Sequence, residues 1–192
     1  RDQPRGLRRH GQAARHHRVG MRLPSRASLQ RWLLDAAILL TVFLAIQVWQ
    51  QRDVPSGPAP ETTGVLANGQ AFSLAEWRKA HAGHAVALHF WADWCPICRA
   101  EEGSITAIDK DWPVMTVALQ SGAAGQVARH LQKNSLGWPA LVDADGRIAA
   151  SYGLKGVPAL VVIDRNGVIR SVSTGYTTEL GMRGRLWWAD RF

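Results

Sequence analysis

Residues 90–98 have the sequence FWADWCPIC and contain both cysteines of the chain, Cys95 and Cys98. An apolar run precedes them, so the chain is predicted to pass from a strand into a helix here. Pro96 suits the first helical turn, where its missing N–H leaves no hydrogen bond unmade. Cys95 is then expected near the helix N-terminus, where unpaired N–H groups and the helix dipole stabilise a thiolate. Cys98, one turn further, is positioned to attack a mixed disulfide formed at Cys95.

A structural disulfide and a metal site both fit this cysteine pair less well. A purely structural disulfide over so short a loop adds only about 2 kcal/mol to stability. A structural zinc site needs four ligands, and no second Cys pair or Cys/His pair is present to complete it. The pattern therefore favours a redox-active pair and no metal site.

Two motifs resemble those of the thioredoxin superfamily. The first is residues 90–98, and the second is YGLKGVPA at residues 152–159, followed by LVVID. The resemblance covers about residues 62–176. It implies an α/β thioredoxin fold, in which helices flank a mixed central sheet. It also implies that the Val157–Pro158 bond is cis and lies against the Cys pair.

The resemblance further implies a substrate site around the two cysteines. Trp94 is expected to border the substrate groove, with Trp91 packed beneath it. Pro96, Val157 and Pro158 are expected to line the same site. There the backbone at Val157 would pair with an extended substrate chain, as a strand added to a sheet edge. No cofactor is expected beyond the Cys95–Cys98 disulfide, and the expected partners are periplasmic thiol or disulfide proteins and a membrane electron donor.

Two positions depart from soluble thioredoxin. A buried Asp lies six residues before the first active-site Cys in that protein, whereas His89 occupies the position here. His89 either assists proton transfer through a different charge cycle or is a packed neutral side chain. Glu101, three residues after Cys98, matches an acid of the membrane-anchored branch that includes TlpA and the cytochrome c maturation thioredoxins. It either tunes the Cys98 thiol or is an exposed helix residue.

Other stretches narrow the resemblance to a TlpA/ScsD type. The cytochrome maturation proteins carry Glu-Thr after the cis-proline, whereas this chain has Ala159-Leu160. Residues 114–122 and 174–179 resemble the suppressor-of-copper-sensitivity branch, ScsD. The relatives imply a reducing role, with a link to copper tolerance. A Cu(I)-binding module that uses the same thiols, and a non-catalytic binding protein, remain alternatives.

The basic charge belongs to one end of the chain. The net charge is +8, and residues 1–31 carry nine Arg and one Asp, which already give +8. The other residues carry fourteen basic and fourteen acidic side chains, so their net charge is zero. This distribution excludes a nucleic-acid-binding surface on the folded part.

An apolar run follows the basic tail. Residues 32–49, WLLDAAILLTVFLAIQVW, are bracketed by Trp32 and Trp49, and Arg residues precede them. The length is close to the minimum for a membrane helix, and the Arg asymmetry predicts a cytoplasmic N-terminus. A cleaved signal peptide and a buried soluble helix are the alternatives. The expected location is therefore a bacterial inner membrane, with the catalytic domain in the periplasm.

The predicted organisation has four parts. Residues 1–31 form a disordered basic tail, of which residues 1–20 are interpreted as upstream sequence outside the working protein. Residues 32–49 are the membrane anchor, residues 50–61 the linker and residues 62–192 the thioredoxin-like domain. In that domain we predict strands at 84–91, 114–119, 141–142, 159–163 and 168–173, and helices at 74–80, 96–108, 124–133 and 177–189. Trp187 and Trp188 are predicted to pack on the last helix.

Overall fold

The computed structural model describes residues 32, 34–42 and 57–192. The chain divides into two compact units, residues 1–48 and 49–192. In the first unit, residues 34–42 are helical, form the described part of helix α1 and have exposed side chains. Within the described part of the chain, no helix has both the length and the apolar character needed to span a bilayer. The predicted tail, most of the predicted linker and residues 43–49 of the predicted anchor lie outside the described residues.

The second unit contains eight strands. They are β1 (Gly57–Pro58), β2 (Thr63–Val65), β3 (Ala71–Ser73), β4 (Val86–Trp91), β5 (Val114–Leu119), β6 (Ala140–Asp143), β7 (Ala159–Ile163) and β8 (Val168–Thr174). Six of them form one mixed sheet in the order β1-β8-β7-β4-β5-β6, and β2 pairs with β3 in a separate hairpin. β4, β5 and β6 are parallel, whereas β7 and β8 run antiparallel to their neighbours.

Five helices accompany these strands: α2 (Leu74–Ala80), α3 (Pro96–Ile108), α4 (Ala124–Lys133), α5 (Arg147–Ser151) and α6 (Glu179–Arg191). Side chains that suit the N-cap position begin three of them. Ser73 accepts a hydrogen bond from the Glu76 N–H at α2, and Thr178 accepts one from Gly181 at α6. Cys95 takes the N-cap position of α3.

The core lies on both faces of the sheet, with β4 at its centre and all six β4 residues buried. One face packs against α3, α4 and α6 through side chains such as Ile105, Leu131 and Met182. The opposite face packs against α2 and α5, with Leu74 and Tyr152 buried there. Helices on two faces of a mixed sheet confirm the α/β fold that the resemblance implied.

In three places the boundaries differ from the sequence-based prediction by two residues or more. The folded unit begins before residue 62, because Gly57 and Pro58 pair with Ile169 and Val168 of β8. Proline lacks an N–H and is tolerated on an edge strand such as β1. β4 begins at Val86 and not at residue 84, because a turn occupies residues 81–84. α6 is displaced by two residues, since Thr178 caps it.

Candidate active site

Cys95 and Cys98 form a disulfide at the start of α3, with their Cα atoms 5.3 Å apart. The side chain of Cys95 caps the helix, and its Sγ accepts the Cys98 N–H at 3.1 Å. Both residues are nearly enclosed, at 4% and 3% exposure, so exposure does not distinguish them. The N-cap position of Cys95 distinguishes the two cysteines. The helix N-terminus and its N–H donor stabilise negative charge on Cys95 Sγ after reduction.

The loop before β7 lies against this disulfide. The Val157–Pro158 peptide bond is cis, as the resemblance implied. The carbonyl oxygen of Val157 lies 3.8 Å from Cys95 Sγ. The Pro158 carbonyl accepts the Gly175 N–H at 2.8 Å, which ties the loop to the end of β8. Two segments that are about sixty residues apart in sequence thus meet at one sulfur atom.

Exposed apolar side chains flank the enclosed disulfide. Trp94 is 57% exposed and Ile97 is 51% exposed, and Pro96 between them is exposed as well. Trp94 Nε1 donates to the Gln120 carbonyl at 3.3 Å, which holds the indole beside the Cys pair. Tyr176, 56% exposed, follows the glycine that binds the Pro158 carbonyl. An apolar partner surface could therefore contact these side chains while its sulfur approaches Cys95.

Trp91 lies below this surface, as the resemblance implied. It is 3% exposed, and its ring packs against His130 at 5.2 Å and Trp138 at 6.2 Å between centroids. Its Nε1 has no hydrogen-bond partner among the described residues. Trp91 therefore contributes apolar packing under the site and not a polar contact.

A buried polar pair connects β4 to α3 one turn beyond Cys98. His89 Nε2 lies 3.2 Å from Glu101 Oε2, and each residue is only 1% exposed. Glu101 Oε1 also accepts a short hydrogen bond from the Thr177 N–H. The suggestion that Glu101 is an exposed helix residue is therefore wrong, because α3 turns this position toward the core.

The hydrogen bonds of His89 define which ring nitrogen faces Glu101. Its Nδ1 has no partner within the described residues. A carboxylate oxygen only accepts, so the ring nitrogen that faces Glu101 is the one that carries a hydrogen. We therefore assign the contact as an Nε2–H that donates to Glu101 Oε2. Both carboxylate oxygens of Glu101 thus act as acceptors, one helical turn beyond Cys98.

Sequence reasoning missed two backbone contributors to the site. The Thr177 N–H, which binds Glu101, comes from the loop before α6, and the Gln120 carbonyl, which binds Trp94, comes from the end of β5. Both act through backbone atoms, so their residue types carry no signal. Only the resemblance of residues 174–179 to a thioredoxin branch pointed to that stretch.

Comparison with known proteins gives a consistent result. A family model described as the AhpC/TSA family matches residues 55–172. A thioredoxin-like protein of Haemophilus influenzae is 32% identical over 106 residues, which are 55% of this chain. The chain spans 63% of the length of that protein.

Two longer matches extend over most of the relatives' length. The thiol-disulfide oxidoreductase ResA of Geobacillus thermodenitrificans is 23% identical over 80% of this chain and 88% of its own. A solved structure, a secreted Mycobacterium tuberculosis disulfide oxidoreductase homologous to Escherichia coli DsbE, is 26% identical. It superposes with a TM-score of 0.55 over 67% of this chain and 96% of that one.

Proposed function

The chain belongs to the AhpC/TSA family and is a thioredoxin-like oxidoreductase, and from this premise we propose that Cys95 and Cys98 exchange disulfides with partner proteins. The observation that carries the proposal is the hydrogen bond from the Cys98 N–H to Cys95 Sγ at the start of α3. It supports Cys95 Sγ as the sulfur that is better stabilised as a thiolate, which is the attacking species in exchange.

The reaction proceeds in two substitutions. In the reduced protein, the Cys95 thiolate attacks a sulfur of the substrate disulfide, forms a mixed disulfide and releases one substrate thiolate. Cys98 then loses its proton and attacks Cys95 Sγ. This forms the Cys95–Cys98 disulfide and releases the second substrate thiolate. Two electrons pass to the substrate, and the reverse sequence oxidises a dithiol.

The His89–Glu101 pair supplies a proton acceptor for the second step. Cys98 must ionise before it attacks, and Glu101 is buried one helical turn away on the same helix, paired with His89 of β4. A positioned acid–base group accelerates such proton transfers by about a hundredfold or more. We assign Glu101 as the acceptor, directly or through a water molecule, and His89 as the residue that positions it.

Partner recognition uses the loop at Val157 and the exposed apolar side chains. The extended backbone of a partner would pair beside the Val157 carbonyl, which is 3.8 Å from Cys95 Sγ. Trp94 and Ile97, each about half exposed, would contact the side chains on either side of the partner's sulfur. The site therefore suits a disulfide in an extended, accessible segment of a protein.

We propose a reducing role in the periplasm, on a membrane-anchored chain of the TlpA/ScsD type. The side chains of the described α1 residues are exposed although most are apolar, with Leu39 at 70% and Ile38 at 58%. An exposed apolar helix fits a membrane segment within residues 32–49. A thiol protein of the membrane would return electrons to the Cys95–Cys98 disulfide. A link to copper tolerance fits the two soft sulfur ligands that reduction releases.

The reduction potential of the Cys95–Cys98 couple is the test. A reducing protein is expected to equilibrate nearer about −270 mV, and an oxidant nearer about −120 mV. Insulin reduction by the wild-type chain and by Cys95→Ser gives the activity and its control. Copper stoichiometry of the reduced protein separates exchange from metal binding. No insulin reduction together with one tightly held Cu(I) would contradict the proposed function.

A further inference from the structure

Exposed aromatic side chains gather at the C-terminal end of α6. Trp187 is 48% exposed, Trp188 is 46% exposed and Phe192 is 67% exposed. The sequence predicted that the two tryptophans pack on the helix, yet the buried positions of α6 are Met182, Leu186 and Ala189. Exposed apolar groups that gather in one patch mark a candidate interaction site. Together with Arg191 we call these residues the aromatic patch.

The patch combines apolar rings with a cation. Trp188 and Phe192 lie with ring centroids 5.9 Å apart. The guanidinium of Arg191 lies over the Trp187 ring, 4.1 Å from its centroid. Tryptophan, and arginine with a long apolar stem, favour the headgroup region of a bilayer, where one part of the side chain is apolar and the other hydrated.

The patch lies at the end of the domain opposite the disulfide. β4 runs toward the disulfide, and the backbone N–H of Ala85, just before that strand, donates to Asp190 Oδ1 at 2.8 Å. α6 begins beside Glu101, through Thr177, and runs away from the Cys pair for thirteen residues. Such a helix is about 20 Å long, so the two ends of the domain are well separated.

The chain also joins the domain at the end that carries the patch. Gly57 pairs with Ile169 of β8. Arg170, which follows Ile169 in β8, donates from Nη2 to the Phe192 carbonyl at 3.2 Å. Seven residues, 50–56, connect Gly57 to the last residue of the apolar segment. Seven extended residues span at most about 25 Å. The patch therefore lies at the end of the domain where residues 50–56 enter it.

The charge around the patch suits anionic lipid. Arg165 is exposed in the turn between β7 and β8, and Arg78 donates to its carbonyl at 3.2 Å. Arg191 lies within the patch itself. Asp164 is nearby, but its carboxylate is only 1% exposed and is paired with Arg170 at 2.7 Å. Asp190 beside the patch is 27% exposed and faces His84, so this end carries charges of both signs. The exposed Arg165 and Arg191 are the side chains that would attract anionic headgroups.

We propose that the aromatic patch rests on the phospholipid headgroups of the membrane that holds residues 32–49. This inference depends on the anchor in the proposed function. It goes further by naming the surface of the domain that meets the bilayer. The disulfide then faces away from the membrane, toward partners in the aqueous compartment.

Lipid photo-crosslinking of the full chain tests the proposal. The chain is reconstituted in phosphatidylcholine vesicles, with or without phosphatidylglycerol, that contain a phospholipid with a photoreactive headgroup. After trypsin digestion, residues 186–191 and 166–170 report on the patch end of the domain. Residues 171–183 contain Leu180, an 81% exposed apolar side chain near the other end of α6, and serve as the control peptide.

Lipid adducts are expected on the patch peptides at least about fivefold above the control peptide, and more with phosphatidylglycerol. The double variant Trp187→Ser/Trp188→Ser should reduce labelling of residues 166–170 several-fold, whereas Leu180→Ser should not. A thermal melt of each variant checks that it is folded. Labelling confined to residues 32–49 would overturn this inference and leave the anchor standing. A chain that stays off the vesicles would overturn the anchor, and this inference with it.

Discussion

His89 and Glu101 form a polar pair inside an otherwise apolar layer, with Nε2 3.2 Å from Oε2 and both side chains at most 2% exposed. They are twelve residues apart in sequence and come from the central strand β4 and the active-site helix α3. Burial of two such groups is unfavourable unless they are paired, and here each is the other's partner. The pair therefore fixes α3 against the sheet one turn beyond Cys98.

The first prediction concerns this pair. Glu101→Ala leaves the Thr177 N–H and the His89 ring without an acceptor, so unfolding free energy should fall by about 3 kcal/mol. Glu101→Gln keeps an oxygen for Thr177 and should lose less. Urea denaturation of both variants measures the difference. Glu102→Gln, half-buried on the same helix, is the control, and an equal loss in this control would mean that the pair has no special role.

The same substitution also tests catalysis. Glu101→Gln should slow the resolution of a mixed disulfide by about tenfold or more, because the amide cannot accept the Cys98 proton. Formation of the mixed disulfide at Cys95 should be nearly unchanged. Stopped-flow kinetics with a model disulfide separates the two steps. Equal rates of resolution in Glu101→Gln and wild type would remove Glu101 from the mechanism.

The second prediction assigns the two cysteines. Cys95→Ser should abolish turnover but keep the helix start, since serine is also a favourable N-cap residue. Cys98→Ser should accumulate mixed disulfides with partner proteins, because the attacking thiol remains and the resolving thiol is gone. Non-reducing gels followed by mass spectrometry detect the trapped species. Trapping by Cys95→Ser alone would reverse the assignment.

The third prediction concerns membrane topology. A fusion of alkaline phosphatase after Phe192 should be active, since that enzyme needs disulfides that persist outside the cytoplasm. A fusion after Arg31, before the apolar segment, should be inactive and provides the control. Alkaline carbonate extraction of the native chain should leave it in the membrane fraction. Release by carbonate would point to cleavage of residues 32–49.

The fourth prediction concerns acid stability at Asp164. Burial opposes ionisation of this carboxyl, but hydrogen bonds from the Val168 and Asn166 N–H groups, together with Arg170, outweigh it and lower its pKa. Because the pKa is lower in the folded protein, the ionised carboxyl stabilises the fold at pH values above the unfolded-state pKa of about 3.9. This stability is lost as the pH falls through the folded-state pKa.

Asp164→Asn should therefore reduce stability at neutral pH by about 2 kcal/mol. The difference in unfolding free energy between this variant and wild type should shrink below about pH 4, as the wild-type carboxyl is protonated. Denaturation curves across the acid range measure this convergence. Glu61→Gln, at an exposed position, is the control, and its unfolding free energy should equal that of wild type at every pH. A difference that stays constant with pH would show that the charge of Asp164 is not responsible.

Local signals were strong enough to predict much of the active-site framework. The bounds of α3, β5 and α4 agree with the sequence-based prediction. A proline just after a capping residue begins α3, and apolar residues at helical spacing define α4. These features depend on residues close together in sequence, so the sequence alone reveals them.

The remaining features depend on contacts between distant residues. Gly57 and Pro58 form a strand only because β8 accepts them, and two residues have no periodicity to detect. Whether Glu101 faced the core or solvent depended on where Thr177 and His89 came to lie. The exposure of Trp187 and Trp188 likewise reflects which side of α6 packs on α3, and single-sequence patterns do not settle that choice.

The two-residue strand β1 has a consequence for a domain from which it has been removed by cleavage. Gly57, Pro58 and the Ala59 N–H, which binds the Gly167 carbonyl at 2.8 Å, cover the outer side of β8. Proteolysis after Ala59 would uncover unpaired backbone groups there, and strands of other molecules add at such edges. Light scattering should show self-association for a chain that starts at Pro60 and none for one that starts at Pro55. Cleavage at this short segment would then control the self-association of the domain.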